Sequence, residues 1–233
     1  MTREAYHKAL LEVESEVRLM AVMVGEALKA SMDALARRDV EASKNIVKND
    51  LLVNRKRFDI EEKCVRLIAT QQPMAVDLRV LFSIVNIITD LERIGDHAEG
   101  IAKISVSIGD GPLVKPLIEM PKMAEKAYSM LDRCMKAFSE RNAEAAKNIC
   151  NEDDEVDEYY DSIYNELVLM MVSDPRIIND ATYLIWGAHN IERIADRVTN
   201  IAERVVYMVT GKMEEMNVSK YRGRSIRSCA SCR

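Results

Sequence analysis

Aromatic residues, glycine, proline and histidine are all scarce in this chain, and each shortage excludes something. Only 5% of residues are aromatic, with eight Gly and five Pro among 233 residues. Sheets need aromatic side chains along their strands and Gly or Pro in their turns, so the composition argues against a β fold. With three His, a zinc site built on imidazole has little material. The five Cys are irregularly spaced, and Cys64, Cys134 and Cys150 fall within helical patterns. They read as reduced thiols rather than as a disulfide framework.

Clustered positive charge is also missing. The formal charge is −5, which argues against nucleic acid as a partner, because affinity for phosphate backbones rests on grouped Lys and Arg. The longest apolar runs, VLFSIVNII at 80–88 and LVLMMV at 167–172, fall short of the ~20 residues that span a bilayer. The opening MTREAYHKALLEVESEV lacks the apolar segment of a secretory signal, so a cytoplasmic protein without membrane insertion is expected. No Walker-type glycine loop, nucleophile elbow or dinucleotide fingerprint occurs.

What is present is helix-forming and amphipathic. Hydrophobic residues make up 48% of the chain and charged residues 30%, enough for a real core under a charged surface. Apolar residues recur at helical spacing over about 5–36, 40–71, 77–107, 116–139, 142–173 and 177–211, which predicts six long antiparallel helices in an all-α fold. Turn formers or prolines punctuate the gaps: ARRD at 36–39, QQP at 71–73, GDGPLVKP at 109–116, ERN at 140–142 and SDP at 173–175.

The two halves repeat. RRDVEASKNIVKNDLLVN at 37–54 lies over ERNAEAAKNICNEDDEVD at 140–157 without a gap, and DLERIGDHAEGIA at 90–102 over NIERIADRVTNIA at 190–202. The expectation is two tandem homologous three-helix bundles, at 1–110 and 111–213. A basic tail at 214–233 follows, expected to be mobile. Its Cys229-x-x-Cys232 reads either as half of a shared zinc site or as a pair of free thiols.

Both copies keep an acidic pair one helical turn apart, Glu92 with Asp96 and Glu192 with Asp196. With ~100° per residue, Asp96 falls ~40° from Glu92 while Leu91, Ile94, Ala98 and Ile101 gather on the opposite side, so these carboxylates are expected to face outward. The preceding helix of each copy offers a second pair at the same spacing, Asp50 with Asn54 and Asp153 with Asp157. Neighbouring helices that present oxygens in this way suit hard cations such as Mg²⁺, Ca²⁺, Mn²⁺ or ferric iron. The bland alternative is a solvated acidic surface. Arg93 and Arg193 sit beside the row, placed to pair with an acid of an adjacent helix or to hold an anion. His189, three residues before Glu192, is a further candidate ligand, although a lone His is more often structural.

The stretch VNRKRFDIEEKCVRLIATQQPMAVDLRVLFSIVNIITDLERIGDHAEGIAK, together with NIERIADRVTNIAE, resembles the PhoU family, the phosphate-specific transport system accessory proteins. The resemblance covers about 5–212. It implies two similar three-helix bundles and metal clusters held by E(D)-x-x-x-D pairs. Residue by residue, that carries over to Asp50, Asn54, Glu92 and Asp96, and to Asp153, Asp157, Glu192 and Asp196. Asn54 departs from the pattern by offering an amide where a carboxylate is expected, and the basic tail lies outside it. The resemblance further implies a non-enzymatic regulator that restrains a phosphate ABC transporter through its ATPase subunit and quiets a phosphate-sensing histidine kinase. A homodimer is expected on this resemblance, in the cytoplasm and at the inner face of the membrane through its partners. The alternatives from other classes are a carboxylate-bridged metalloenzyme, a phosphatase or oxidase, and a purely structural helical protein.

Overall fold

The structure, a computed structural model, describes residues 3–214 and 216. It consists of α1 (Arg3–Arg37), α2 (Val40–Gln71), α3 (Val76–Ile108), α4 (Glu119–Glu140), α5 (Ala143–Cys150), α6 (Asp153–Ser173), a 3-10 turn at Pro175–Ile177 and α7 (Ile178–Thr210). Among the described residues there is no strand, and no helix is long and apolar enough to cross a membrane. Of the basic tail at 214–233, only Glu214 and Met216 fall within the described residues. Cys229 and Cys232 lie outside them.

The chain reverses by the same device in both copies. Arg38 and Arg141 end α1 and α4 in the left-handed region, with φ of 59° and 55°. The next residue then caps the following helix: Asp39 accepts from the Ala42 N–H at 2.9 Å and Asn142 from the Ala145 N–H at 3.0 Å. These side chains satisfy amides that the first turn of a helix leaves without partners. Helices α1 to α3 pack as one bundle and α4 to α7 as the other. Ile84, Ile87, Ile88, Leu91 and Ile94 of α3 are fully buried, as are Ile191, Ile194, Val198 and Ile201 of α7. Each such side chain contributes about 1.5–3 kcal/mol.

The predicted helix over 142–173 is in fact two. It breaks at Asn151 and Glu152, where the amides turn back to Asn148 and Ile149 at 3.3 and 3.1 Å. The acidic run explains the break. In a continuous helix Glu152, Asp153, Asp154 and Glu155 would repel one another at mid-length, whereas a restart at Asp153 sets them at the positive end of a helix dipole. Its counterpart, α2, has no such run and continues unbroken.

The bundles join along two antiparallel seams. Between α3 and α7, His97 meets Asn190 and Arg197 meets Asp90. Between α1 and α4, the ring of Tyr128 sits on Gly25, where an added Cβ would lie 2.9 Å from Tyr128 Cε2. Lys29 Nζ covers the same ring at 3.3 Å from its centroid. Cys64, Cys134 and Cys150 are buried free thiols, and burial pushes Cys64 and Cys150 up to about 12.

Candidate metal centre

The acidic pairs of the first bundle meet across the groove between α2 and α3, close enough for Asp96 and Glu92 to act on Asp50. In the first bundle Asp50 stands on α2 beside Gly95 of α3, where an added Cβ would lie 3.2 Å from Asp50 Oδ1. The small residue lets the carboxylate approach the neighbouring backbone. Asn54 Nδ2 donates to Asp50 Oδ2 at 2.8 Å, so the amide that replaces a carboxylate steadies the acid one turn away. Burial, followed by the charges of Glu99, Asp96 and Glu92, pushes the Asp50 carboxyl above its usual range. Glu92 is also raised, by burial and then by Asp96, against the pull of Arg93 and Arg57. Negative charge is thus crowded here and partly withdrawn from water.

This crowding corrects the outward-facing picture. Side-chain exposure is 20% for Glu92 and 22% for both Glu192 and Asp196, while Asp96 keeps 38%. The helical wheel shows which side of α3 faces the core but not that α2 covers the other flank. Asp153 goes further and is wholly buried, because the break before α6 turns the first residue of that helix inward.

The arginines likewise behave differently from either sequence reading. Arg93 folds back along its own helix to Glu92 Oε2 at 3.7 Å and Asp96 Oδ2 at 3.5 Å, and Arg193 reaches Asp196 Oδ2 at 2.9 Å. The long side chain closes the angle that the wheel opens between neighbouring residues. His189 Nδ1 lies 2.9 Å from Glu192 Oε2 and its ring packs near Tyr160, so it engages the acidic row as a neighbour of Glu192. In the second bundle the corresponding residues lie on α6 (Asp153 and Asp157) and α7 (Glu192 and Asp196).

Among the described residues, no three His, Cys, Asp or Glu side chains converge closely enough to enclose a metal ion as they lie. The donors nevertheless fit a hard cation in kind, because they are oxygens drawn from two rigid helices and the crowding raises Asp50 and Glu92. A bound cation would relieve that repulsion. A further acid stands beside the paired ones, on the face of α3 where the helical period places it. Glu99, with 18% exposure, is near enough to raise Asp50 and is held by Lys103 at 2.6 Å. It lies on the same side of α3 as Glu92. Its repeat counterpart, Thr199, is a buried residue without a carboxylate.

Comparison with known proteins gives one answer throughout. The PhoU domain family matches residues 17–105 and 120–205, one match in each bundle. A phosphate-specific transport system accessory protein PhoU homolog of Clostridium acetobutylicum is 38% identical over 93% of this chain and 100% of its own length. The homolog of Aquifex aeolicus is 35% identical over 93% of this chain and 98% of its own length. Among solved structures, the phosphate transport system regulatory protein PhoU of Streptococcus pneumoniae superposes with a TM-score of 0.84 at 31% identity, covering 90% of this chain and 99% of that one. PhoU of Pseudomonas aeruginosa gives a TM-score of 0.84 at 32% identity, covering 89% and 100%. With both bundles matched and relatives covered from end to end, the chain belongs to the PhoU family.

Proposed function

We propose that this protein is a non-enzymatic regulator of phosphate uptake and phosphate-responsive signalling, carrying two surface grooves that take up hard metal ions. The observation that carries the reading is the match of both bundles to the PhoU domain, alongside relatives named as accessory proteins of phosphate-specific transport. Its partners on this reading are the ATPase subunit of a phosphate ABC transporter and a phosphate-sensing histidine kinase. It meets them as a cytoplasmic homodimer, at the inner face of the membrane. Deleting the gene and following phosphate uptake and a phosphate-starvation reporter tests the regulatory role. Uptake and reporter output indifferent to the deletion in phosphate-rich medium would overturn it.

The metal reading is supported by crowded oxygen donors on paired helices. Asp50, Asn54, Glu92 and Asp96 would hold the ion in the first bundle, and Asp153, Asp157, Glu192 and Asp196 in the second. Iron, manganese, magnesium and calcium are the ions that such donors favour. A cation there lowers the local negative charge, and with it the attraction for basic groups on a partner, without a change of fold. Four carboxylates against three and an amide make the second groove the stronger. Calorimetric titration with Mn²⁺ of the Asp157→Asn and Asn54→Asp variants tests that order. Equal affinities in the two variants and the parent would remove the metal reading. Phosphatase and oxidase assays of the metal-loaded protein complete the test, since turnover lost in Glu192→Gln would make the groove an active site.

A further inference from the structure

The repeats differ in chemistry along the junction of their first and second helices. In the second bundle, Lys126 and Arg133 of α4 reach over the break between α5 and α6. Arg133 Nη1 and Nη2 donate to the two Glu152 oxygens at 2.5 and 2.6 Å, and Lys126 Nζ lies 2.8 Å from both Glu152 and Glu155. The offset of 103 that aligns Arg38 with Arg141 (141 − 38) places Met23, Ala30, Asn49 and Leu52 at these four positions in the first bundle. The alignment is sound along α1 and α4, because buried Met20, Leu28, Met32 and Leu35 fall on buried Met123, Leu131, Met135 and Phe138.

The first bundle therefore lacks both cations, and a cleft of ≈ 270 Å³ lies open along that junction. Met23, Ala27, Ala30 and Leu52 form its apolar walls, and among the described residues the charged side chains that line it are Glu26, Asp50 and Glu99. We propose that this cleft is a docking site for an arginine or lysine side chain presented by a partner polypeptide, seated where the second bundle supplies Lys126 and Arg133 from its own chain.

The walls decide the class of occupant. A bare metal ion would leave the apolar sides of the cleft wet, whereas a basic side chain lays its methylene stem on them and carries its charge to the carboxylates. Guanidinium is the better fit of the two, being weakly hydrated and able to donate to two carboxylates at once. The inference concerns the first bundle alone, and because Asp50 belongs to both sets, a metal ion in the groove would compete with the basic side chain there.

The test uses the full chain, freed of metal with a chelator and carrying ¹³C-labelled alanine methyls. The probe is the capped peptide acetyl-Leu-Arg-Leu-amide, and the control replaces arginine by its uncharged analogue citrulline. Saturable shifts of the Ala27 and Ala30 methyl signals are expected with the arginine peptide, and binding weaker by about tenfold or more with citrulline. Ala30→Arg, which installs the residue the second bundle already has, should abolish the response at Ala27. Met23→Lys should do the same, and provides a second variant if the first unfolds. The proposal is overturned by any one of four results: no saturable shift, an equal response to the citrulline peptide, binding undiminished in folded Ala30→Arg or Met23→Lys, or a response to Mg²⁺ with none to the peptide.

Discussion

Asp90 and Arg197 face each other across the seam between the bundles, with Arg197 Nη1 3.6 Å from Asp90 Oδ1. Their repeat counterparts, Asn190 and His97, make the corresponding contact at the other end of the crossing, with His97 Nδ1 donating to Asn190 Oδ1 at 3.0 Å. Acid with arginine in one place answers amide with histidine in the other. The four positions thus form two matched pairs. Asn200 adds an amide contact to Asp90 at 3.5 Å, where its counterpart Gly100 leaves room for Asn190.

Mixing the pairs should therefore cost stability that exchanging them whole does not. Arg197→His alone leaves Asp90 in a half-buried place without its strongest partner, at a cost of about 2 kcal/mol. Adding Asp90→Asn recreates the other pairing and should recover most of that loss. Urea denaturation of the two single variants and the double variant gives the coupling; additive losses would mean that the seam does not recognise the pairs.

Glu152 gives a pH dependence with a definite sign. Hydrogen bonding from Arg133, with Lys126 adding to it against the cost of burial, lowers its pKa from 4.5 to about 2. The folded state then holds this proton less tightly than the unfolded chain does. The stabilisation is complete above about pH 4.5 and is lost as pH falls toward about 2. Glu152→Gln should be the less stable protein at neutral pH, by no more than about 1 kcal/mol because Arg133 is exposed enough for water to screen the pair. The difference should vanish only below about pH 2, once Glu152 is protonated in the folded state as well, and one that persisted there would have another origin.

Asp50 should behave in the opposite way in metal-free protein. Its charge is opposed by burial and by Glu99, Asp96 and Glu92. Asp50→Asn keeps the shape beside Gly95 and removes one of the crowded charges. A gain on the order of 0.5 kcal/mol is expected in chelator. If the groove takes up a cation, the order reverses when Mn²⁺ is added, because only the parent gains from binding. Thermal melts with and without metal measure both.

Gly25 trades helix propensity for contact. Alanine there gains about 1 kcal/mol in a helix interior, but its Cβ meets Tyr128 Cε2 at 2.9 Å and Cδ2 at 3.3 Å. Gly25→Ala should be neutral or destabilising in the parent and stabilising by about 1 kcal/mol in a Tyr128→Ala background. The same benefit in both backgrounds would show that the ring moves aside freely.

The helical pattern, the repeat and the breaks marked by turn formers were legible in the sequence because each rests on local chemistry, whereas the break inside 142–173 was not anticipated. Asp39 and Asn142 cap where ARRD and ERN place them, and the apolar stripe of α3 faces inward as its period requires. The acidic pairs were visible as spacing, and their depth was not. Whether Glu192 is exposed or half-buried depends on what packs beside α7, which periodicity along one helix does not contain. The split at Asn151 had a signal in the run NEDDEVDE, whose charge favours the start of a helix over its middle. The pairing of Arg93 with its own helix depends on side-chain reach rather than on angular position. The cleft beside α1 becomes visible only when residues of one copy are set against those of the other in three dimensions.

The tyrosine seated on Gly25 bears on how such a chain arises. Gly25 and Tyr128 are counterparts, since 128 − 25 = 103, the offset that aligns the repeats, so each meets its own image across the pseudo-twofold between α1 and α4. Two identical copies of the first repeat would set glycine against glycine and leave a hole. Two copies of the second would drive one ring into the other. A symmetric pair of identical repeats would have to place the same residue on both sides of its axis, a constraint that a chain carrying two different repeats does not have. The complementary fit of a large side chain into a small one is a product of that freedom, and separating the halves would return each to an axis it no longer fits.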